Sequence, residues 1–239
     1  MNYDNFGNRM KEYEEKYTSS RILGNSFLCA RLDGKNFSSY TRGFEKPFDF
    51  ELTNVMIHVT EALVKETHAS HGYTQSDEIS LFFTQTQHEH IFGGKVSKLN
   101  SILASMASAH FNSLIRSSKL AYFDCRSFAI PSALEASALC RWTCGHKNMQ
   151  HLNQEQMKYL MRTEYGVNWE DLAEVHKYGS HSKRKFLRKS ISEEERLNIP
   201  ERYRPEEGTI VNRTKVVSFS DIGYFGDWLS NDRVNFILM

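Results

Sequence analysis

Three carboxylates sit where apolar strands begin or end. Asp33 closes the stretch SFLCARLDG (26–34), and Asp77 and Glu78 lead directly into Ile79–Phe83 within GYTQSDEISLFF (72–83). Carboxylates beside buried apolar chain are costly unless a positive charge compensates them. Clustered carboxylates also raise one another's pKa unless a cation intervenes. A hard divalent cation such as Mg²⁺ takes oxygen ligands at about 2.0–2.1 Å and leaves positions for water and phosphate. Two such ions about 3.5–4 Å apart hold the attacking and leaving oxygens of an in-line phosphoryl displacement. Singly, each of these residues reads as an ordinary turn residue. Together, with an apolar strand on each side, they point to metal-dependent phosphoryl chemistry.

Other residues fit an anionic substrate. GKNFSSY (34–40) follows Asp33 directly and offers backbone N–H groups to a triphosphate. FGGKVSK (92–98) sets Lys95 and Lys98 at the start of a helix, an arrangement that suits phosphate. The chain contains no GxxxxGK[ST] loop. Arg126, Arg141 and Lys147 are further cations, and HSKRKFLRKS (181–190) gathers Lys183, Arg184, Lys185, Arg188 and Lys189 around Phe186 and Leu187. That run suits several contacts to a nucleic-acid backbone. Because Glu193, Glu194 and Glu195 follow, it also reads as a helix laced with salt bridges. A zinc set of Cys140, Cys144, His146 and His151 can be drawn, but a closed tetrahedral site needs all four to converge.

Several elements must position these groups. Phe6, Met10, Tyr13 and Tyr17 fall on one face of a short amphipathic helix. In 26–34, Leu28, Ala30 and Leu32 alternate with Cys29, Arg31 and Asp33, the period of a strand. Leu52, Val55, Met56, Val59 and Leu63 form the stripe of a helix over 49–70, with Gly72 at its close. Gln75-Ser76-Asp77 makes a turn into the strand that starts at Glu78. Residues 95–115 form a second helix and 120–130 a further strand ended by Pro131. Ser132 with Glu135 is a capping box that opens a third helix, broken near Gly145 and reaching toward Glu164. The economical assembly is α+β: a ferredoxin-like β-α-β-β-α-β antiparallel sheet with helices on one face. Residues 1–135 form this catalytic unit, and 136–239 a helical and β-hairpin extension packed on it as one unit. Within the extension, 179–208 reads as loop with a short helix and 209–221 as a hairpin or edge strand.

The chain has 239 residues, of which 40% are apolar, enough for a substantial core. The net charge of +1 makes a nucleic-acid partner dependent on a local basic patch. Its N-terminal stretch is polar, and no run approaches eighteen apolar residues, so neither a secretory leader nor a membrane span is expected. Four cysteines without CxxC spacing fit a reduced cytoplasmic protein.

RLDGKNF (31–37) and SDEIS (76–80) together resemble the tRNA-histidine guanylyltransferases and their relatives, the guanylyltransferase-like 3′–5′ RNA polymerases. KVSK (95–98), FDCRSFAIPS (123–132) and RWTCGHKN (141–148) add to the resemblance, which covers residues 1–180 approximately. It implies a polymerase- or cyclase-like palm that extends the 5′ end of tRNA after activation with ATP or GTP, the 3′-OH of an incoming GTP or other nucleotide being the attacking group. Carried over by position, Asp33, Asp77 and the Gly34 carbonyl would bind two Mg²⁺ ions, with Glu78 assisting. Lys35, Asn36, Phe37, Ser76, Lys95 and Lys98 would meet the nucleotide. Arg126, Arg141, Lys147, Asn148, Lys183, Arg184, Lys185 and Arg188 would meet the RNA. A homotetramer is implied as well. Trp142 and Cys144 stand where the family has Gln and Asp, and HKNM (146–149) replaces a His-Ile-Asn-Asn segment. These departures favour a broader, template-directed repair activity over strict histidine-tRNA specificity. A nucleotide cyclase on a similar palm and a non-catalytic tRNA-binding module are the competing readings.

Overall fold

The computed structural model describes residues 3–24, 26–83, 91–146, 154–224 and 227–238. Helix α1 (Tyr3–Thr18) leads into strand β1 (Phe27–Gly34), the single turn α2 (Phe37–Tyr40) and helix α3 (Phe50–Thr67). The hairpin β2 (His71–Gln75) and β3 (Glu78–Phe83) precedes α4 (Val96–Leu114) and β4 (Phe123–Ile130). Helices α5 (Ala133–His146), α6 (Gln154–Tyr165) and α7 (Glu174–Tyr178) follow. Then come β5 (Ser180–Ser190), α8 (Glu193–Leu197), β6 (Ile210–Phe219) and α9 (Ser230–Leu238). The described strands form one antiparallel sheet in the order β4-β1-β3-β2-β5-β6.

The alternation seen in β1 sorts its side chains between two layers. Leu28, Ala30 and Leu32 join Ile79, Leu81 and Phe83 of β3 in a core beneath α3 and α4. Val55, Met56, Val59 and Leu63 of α3 and Leu99, Leu103, Ala107 and Phe111 of α4 complete it, all buried. The helix over 50–67 starts where Asp49 Oδ1 accepts the Leu52 N–H at 2.8 Å. It ends at His68, whose φ of 60° is left-handed, and not at Gly72. Gly72 lies inside β2 because a Cβ there would come within 2.7 Å of the methyls of Thr60 and Val64. Its missing side chain lets α3 lie close on the sheet.

The second face carries Cys29, Tyr73 and Phe82, covered by Ala136 and Cys140 of α5 and by Phe236 and Ile237 of α9. The palm helices thus lie on one face, and the C-terminal helices cover part of the other. Two helices, α5 and α6, stand where a single interrupted one was expected, and 147–153 between them lie outside the described residues.

The larger departure is 180–190, expected as loop or charged helix and found as an eleven-residue strand. It pairs with β2 only over Ser180–Lys183 and with β6 over His181–Ser190. Beyond Lys183, β5 and β6 form a two-stranded arm with Lys185–Ser190 exposed. The chain forms a strand here because its buried end is satisfied by small hydroxyls: Ser182 and Ser218 share a 2.7 Å hydrogen bond, and Ser220 donates to Ser180 at 2.9 Å. Among the described residues no helix is long and apolar enough to cross a membrane.

Candidate active site

Antiparallel pairing brings the two acidic segments together. Asp33 sits opposite Glu78 of β3 and, on its other side, opposite Asp124 of β4. The Gly34 N–H donates to the Asp77 carbonyl at 3.1 Å, so the β2–β3 turn is fastened to the end of β1. In that turn Ser76 takes a left-handed φ of 54°, and its hydroxyl donates to Asp77 Oδ1 at 3.2 Å. Asp33 and Asp77 are both half-buried.

Gly34 has no alternative residue at this point. A Cβ would lie 2.2 Å from the Phe37 ring, which folds back over it. Phe37 is buried among Tyr40, Phe111 and Phe123, with ring centroids 5.1–5.4 Å apart. Asn36 adopts φ 57° to make the bend, and the Lys35 N–H donates to Tyr122 O at 2.8 Å. The loop after Asp33 is therefore held in place by aromatic packing and a backbone bond.

A cavity of about 520 Å³ opens here. Its volume falls within the usual range of small-molecule sites, about 300–1,000 Å³. Asp33, Gly34, Asn36 and Phe37 form one wall, Ser76 and Asp77 a second, and Lys46, Asp49, Thr53 and His176 much of the rest. His176 is stacked on Phe48 at 4.8 Å and edge-on to Phe50 at 4.7 Å, and burial lowers its pKa. Its Nε2 is buried without a hydrogen-bond partner.

Six of the predicted residues line this cavity: Asp33, Gly34, Asn36, Phe37, Ser76 and Asp77. Others lie elsewhere. Glu78 is 2% exposed and forms an ion pair with Arg31, two residues before Asp33 on the same face. Lys35 is exposed outside the cavity lining. Lys95 and Lys98 belong to the far end of the sheet: Lys95 bridges Arg21, the Val96 N–H donates to Ser20 O, and Lys98 Nζ lies 5.3 Å from the Phe92 ring. The opposite end of α4, at Phe111, is the one that reaches Phe37. Arg126 is on the carboxylate face, exposed, 3.4 Å from Asp124. Arg184 donates to the Val64 and Lys65 carbonyls at the end of α3, at 3.2 and 2.6 Å. Lys183 packs over Phe236 at 4.2 Å, and burial lowers its pKa. Both cations therefore serve internal packing, whereas Lys185 and Arg188 are exposed on the arm. Lys147 and Asn148 lie outside the described residues, as does the side chain of Arg141.

Arg31, Asp124 and His176 were not among the predicted site residues. Arg31 and Asp124 had a usable signal: each is charged, in a strand, on the same side as Asp33. His176 had none, because its place depends on α7 folding back onto the β2–β3 turn. Gln75 Nε2 fastens that contact by donating to Lys177 O at 3.1 Å.

Comparison with known proteins places this architecture. Residues 7–131 match the family described as tRNAHis guanylyltransferase. An uncharacterised protein of Acanthamoeba polyphaga mimivirus is 30% identical over 228 residues, covering 76% of this chain and 78% of its own. The tRNA(His) guanylyltransferase of Schizosaccharomyces pombe is 31% identical over 104 residues, covering 42% of this chain and 39% of its own. A bacterial tRNA(His) guanylyltransferase-like protein in complex with GTP superposes with a TM-score of 0.72 at 26% identity, over 98% of this chain and 100% of its own. Another such structure, in complex with ATP, gives 0.67 at 30% identity, over 75% and 87%. With the acidic strand ends, the palm sheet and the family match in agreement, the chain belongs to the tRNAHis guanylyltransferase family of nucleotidyltransferases.

Proposed function

We propose that this protein adds nucleotides to the 5′ end of tRNA in the 3′–5′ direction. The observation that carries the reading is the Gly34–Asp77 backbone bond, which sets two carboxylate-bearing segments side by side on the rim of a nucleotide-sized cavity. The solved relatives in complex with ATP and with GTP support both nucleotides as substrates. In the first step the tRNA 5′-monophosphate attacks the α-phosphate of ATP or GTP, releases pyrophosphate and becomes a capped 5′ end. In the second, the 3′-OH of an incoming GTP or other nucleotide attacks the tRNA 5′ phosphate and displaces the nucleoside monophosphate. Pyrophosphate is removed from the new end afterwards.

The donor set fits Mg²⁺: carboxylates of Asp33 and Asp77 and the Gly34 carbonyl are all hard oxygens. Two bound Mg²⁺ ions would neutralise phosphate charge and favour the alkoxide character of the attacking hydroxyl. The chain's own residues do the rest. Arg31 neutralises Glu78 beneath the carboxylate row. Phe37 fixes the loop from which Asn36 meets the triphosphate, with Ser76 across the cavity, and the exposed Lys35 reaches it from outside the cavity lining. His176, stacked on Phe48, forms part of the cavity wall that faces the substrate.

The arm grips the RNA body. Lys185 and Arg188 lie roughly 30 Å along the strand direction from Asp77, at about 3.3 Å per residue. That separation suits a duplex held away from its reacting end. Phe6, Met10, Tyr13 and Tyr17, all exposed on one face of α1, support assembly into a homotetramer.

The test uses 5′-monophosphorylated tRNA lacking its first nucleotide, with ATP, labelled GTP and Mg²⁺, comparing wild type with Asp77→Ala. A product one nucleotide longer at its 5′ end, absent with the variant, is the expected result. Mg²⁺-dependent consumption of nucleotide without RNA would instead establish cyclase chemistry, and tRNA binding with no reaction a binding module.

A further inference from the structure

Away from the carboxylates, the same sheet face holds a second group of metal-ligating side chains. His71 of β2, Cys140 of α5 and His181 of β5 each offer one ligand atom, and these atoms all lie within 4.8 Å of one another. The three residues are 0%, 1% and 1% exposed. His71 Nε2 and His181 Nδ1 are 2.9 Å apart. Phe236 stands edge-on to both imidazoles at 5.5 Å, and Tyr73 packs on His181 at 4.7 Å. His71 pairs in register with Phe82, whereas Gln75 at the other end of β2 pairs with Glu78. The cluster therefore lies about 13 Å along the strand from the acidic row.

We infer that His71, Cys140 and His181 bind one thiophilic d¹⁰ metal ion, Zn²⁺ or Cu⁺. The donor set decides the class: two imidazole nitrogens and a thiolate suit a soft or borderline ion and not Mg²⁺. Geometry allows it with side-chain adjustment: Cys140 Sγ, within 4.8 Å of both nitrogens, has to come to about 3.6 Å from each. Metal–nitrogen bonds of about 2.0–2.1 Å in a tetrahedral site place two nitrogens about 3.3 Å apart, so the two rings need to part by about 0.4 Å. Both imidazoles are neutral at physiological pH, since burial lowers their pKa, that of His181 to about 3, and neutral imidazole is the ligating form. On binding, the Cys140 Sγ–H bond is replaced by an Sγ–metal bond and the proton passes to water. Three ligands from three elements far apart in sequence make the ion a staple joining α5 and β5 to the palm strand β2. In sequence Cys140 stands near Cys144, His146 and His151, whereas the structure sets it beside two histidines distant in the chain.

The test measures metal in the full chain. Chelator-stripped wild type, Cys140→Ala and Cys125→Ala are titrated with Zn²⁺, with Co²⁺ as a spectroscopic substitute, and with Cu⁺ against a competing chelator. Cys125 is the control, since it packs against the core on the other face. Wild type and Cys125→Ala should take up about one equivalent, show a thiolate-to-cobalt charge-transfer band and gain roughly 5 °C or more in melting temperature with the ion that fits. Cys140→Ala should lose all three. Stabilisation by Zn²⁺ alone identifies zinc, and by Cu⁺ alone copper. Uptake below about 0.1 equivalent of both ions, or uptake unchanged in Cys140→Ala, overturns the inference. If Cys140→Ala does not fold, alkylation of Cys140 in the wild type decides. One equivalent of metal should slow it, and an unchanged rate overturns the site.

Discussion

One face of the sheet has two ends built from the same strands and the same alternation. Along β1 the positions are Cys29, Arg31 and Asp33; along β3, Phe82, Ser80 and Glu78; along β2, His71, Tyr73 and Gln75. At the first end α5 and α9 close over Cys29, Phe82 and His71. At the second the face carries Arg31, Asp33, Asp124 and Arg126, the last two exposed. The strands do not differ in kind; their cover does. A covered end must be apolar or neutral, and its histidines are held uncharged. An uncovered end can keep charges ionised beside water and phosphate. At the acidic end α5 and α9 give way to α7, which packs at the β2–β3 turn and leaves a cavity beside Asp33 and Asp77.

That contrast can be broken in graded ways. The strongest is Asp33→Asn, which keeps shape and removes charge. It should lower the rate of 5′ addition by roughly 10³-fold at unchanged melting temperature, comparable to losing a principal transition-state contact. A rate within a factor of two of wild type would separate Asp33 from the chemistry. Next is Glu78→Leu, which strands Arg31 in a largely buried position. Its cost should be about 3 kcal/mol in urea unfolding, and the double change Arg31→Leu with Glu78→Leu should recover most of it. Recovery of stability without recovery of activity would assign the pair a role at the site beyond packing.

The covered end gives the third. His71 and His181 have folded-state pKa values well below the unfolded value of about 6.5, chiefly through burial. Below that value the unfolded chain binds more protons than the folded one. Stability of metal-free protein should therefore be flat above about pH 7.5 and fall as pH drops from about 6.5 toward 3, by up to about 1.4 kcal/mol per pH unit for each histidine. Denaturant melts of wild type and His181→Gln between pH 7.5 and 5 check this, and the variant should show the shallower slope. The smallest effect belongs to Lys98→Ala. Its side chain sits at the far end of α4, so the KM for nucleotide should change by less than about twofold, within the scatter of surface substitutions.

The sequence made the acidic end of the palm legible because each signal there was local. Asp33 and Gly34 share a strand end, Ser76–Glu78 share a tight turn, and the stripes of α3 and α4 each fit one helical period. Antiparallel pairing then did the rest. What stayed hidden depended on distance in the chain. Lys95 and Lys98 read as phosphate ligands because they open a helix, but that nineteen-residue helix is about 28 Å long and it is its other end, at Phe111, that reaches Phe37. The strand at 180–190 was masked by its own cations, two of which turn inward: Arg184 to the carbonyls of α3 and Lys183 to Phe236. His176 and the His71–Cys140–His181 cluster arise only when α5, α7 and β5 come back onto the palm.

The short pairing between β2 and β5 has a consequence for motion. Four residues of β5 pair with β2, the last three of them with β6 as well, and the seven that follow have β6 as their one strand partner among the described residues. Opening free energy should therefore change sharply along a single strand. Amides at His181 and Ser182 should exchange with solvent deuterium only on global unfolding, and those from Phe186 onward through local fraying of the two-stranded arm. Arg184, clamped to the end of α3, marks the boundary between the part of the strand built into the sheet and the exposed two-stranded arm.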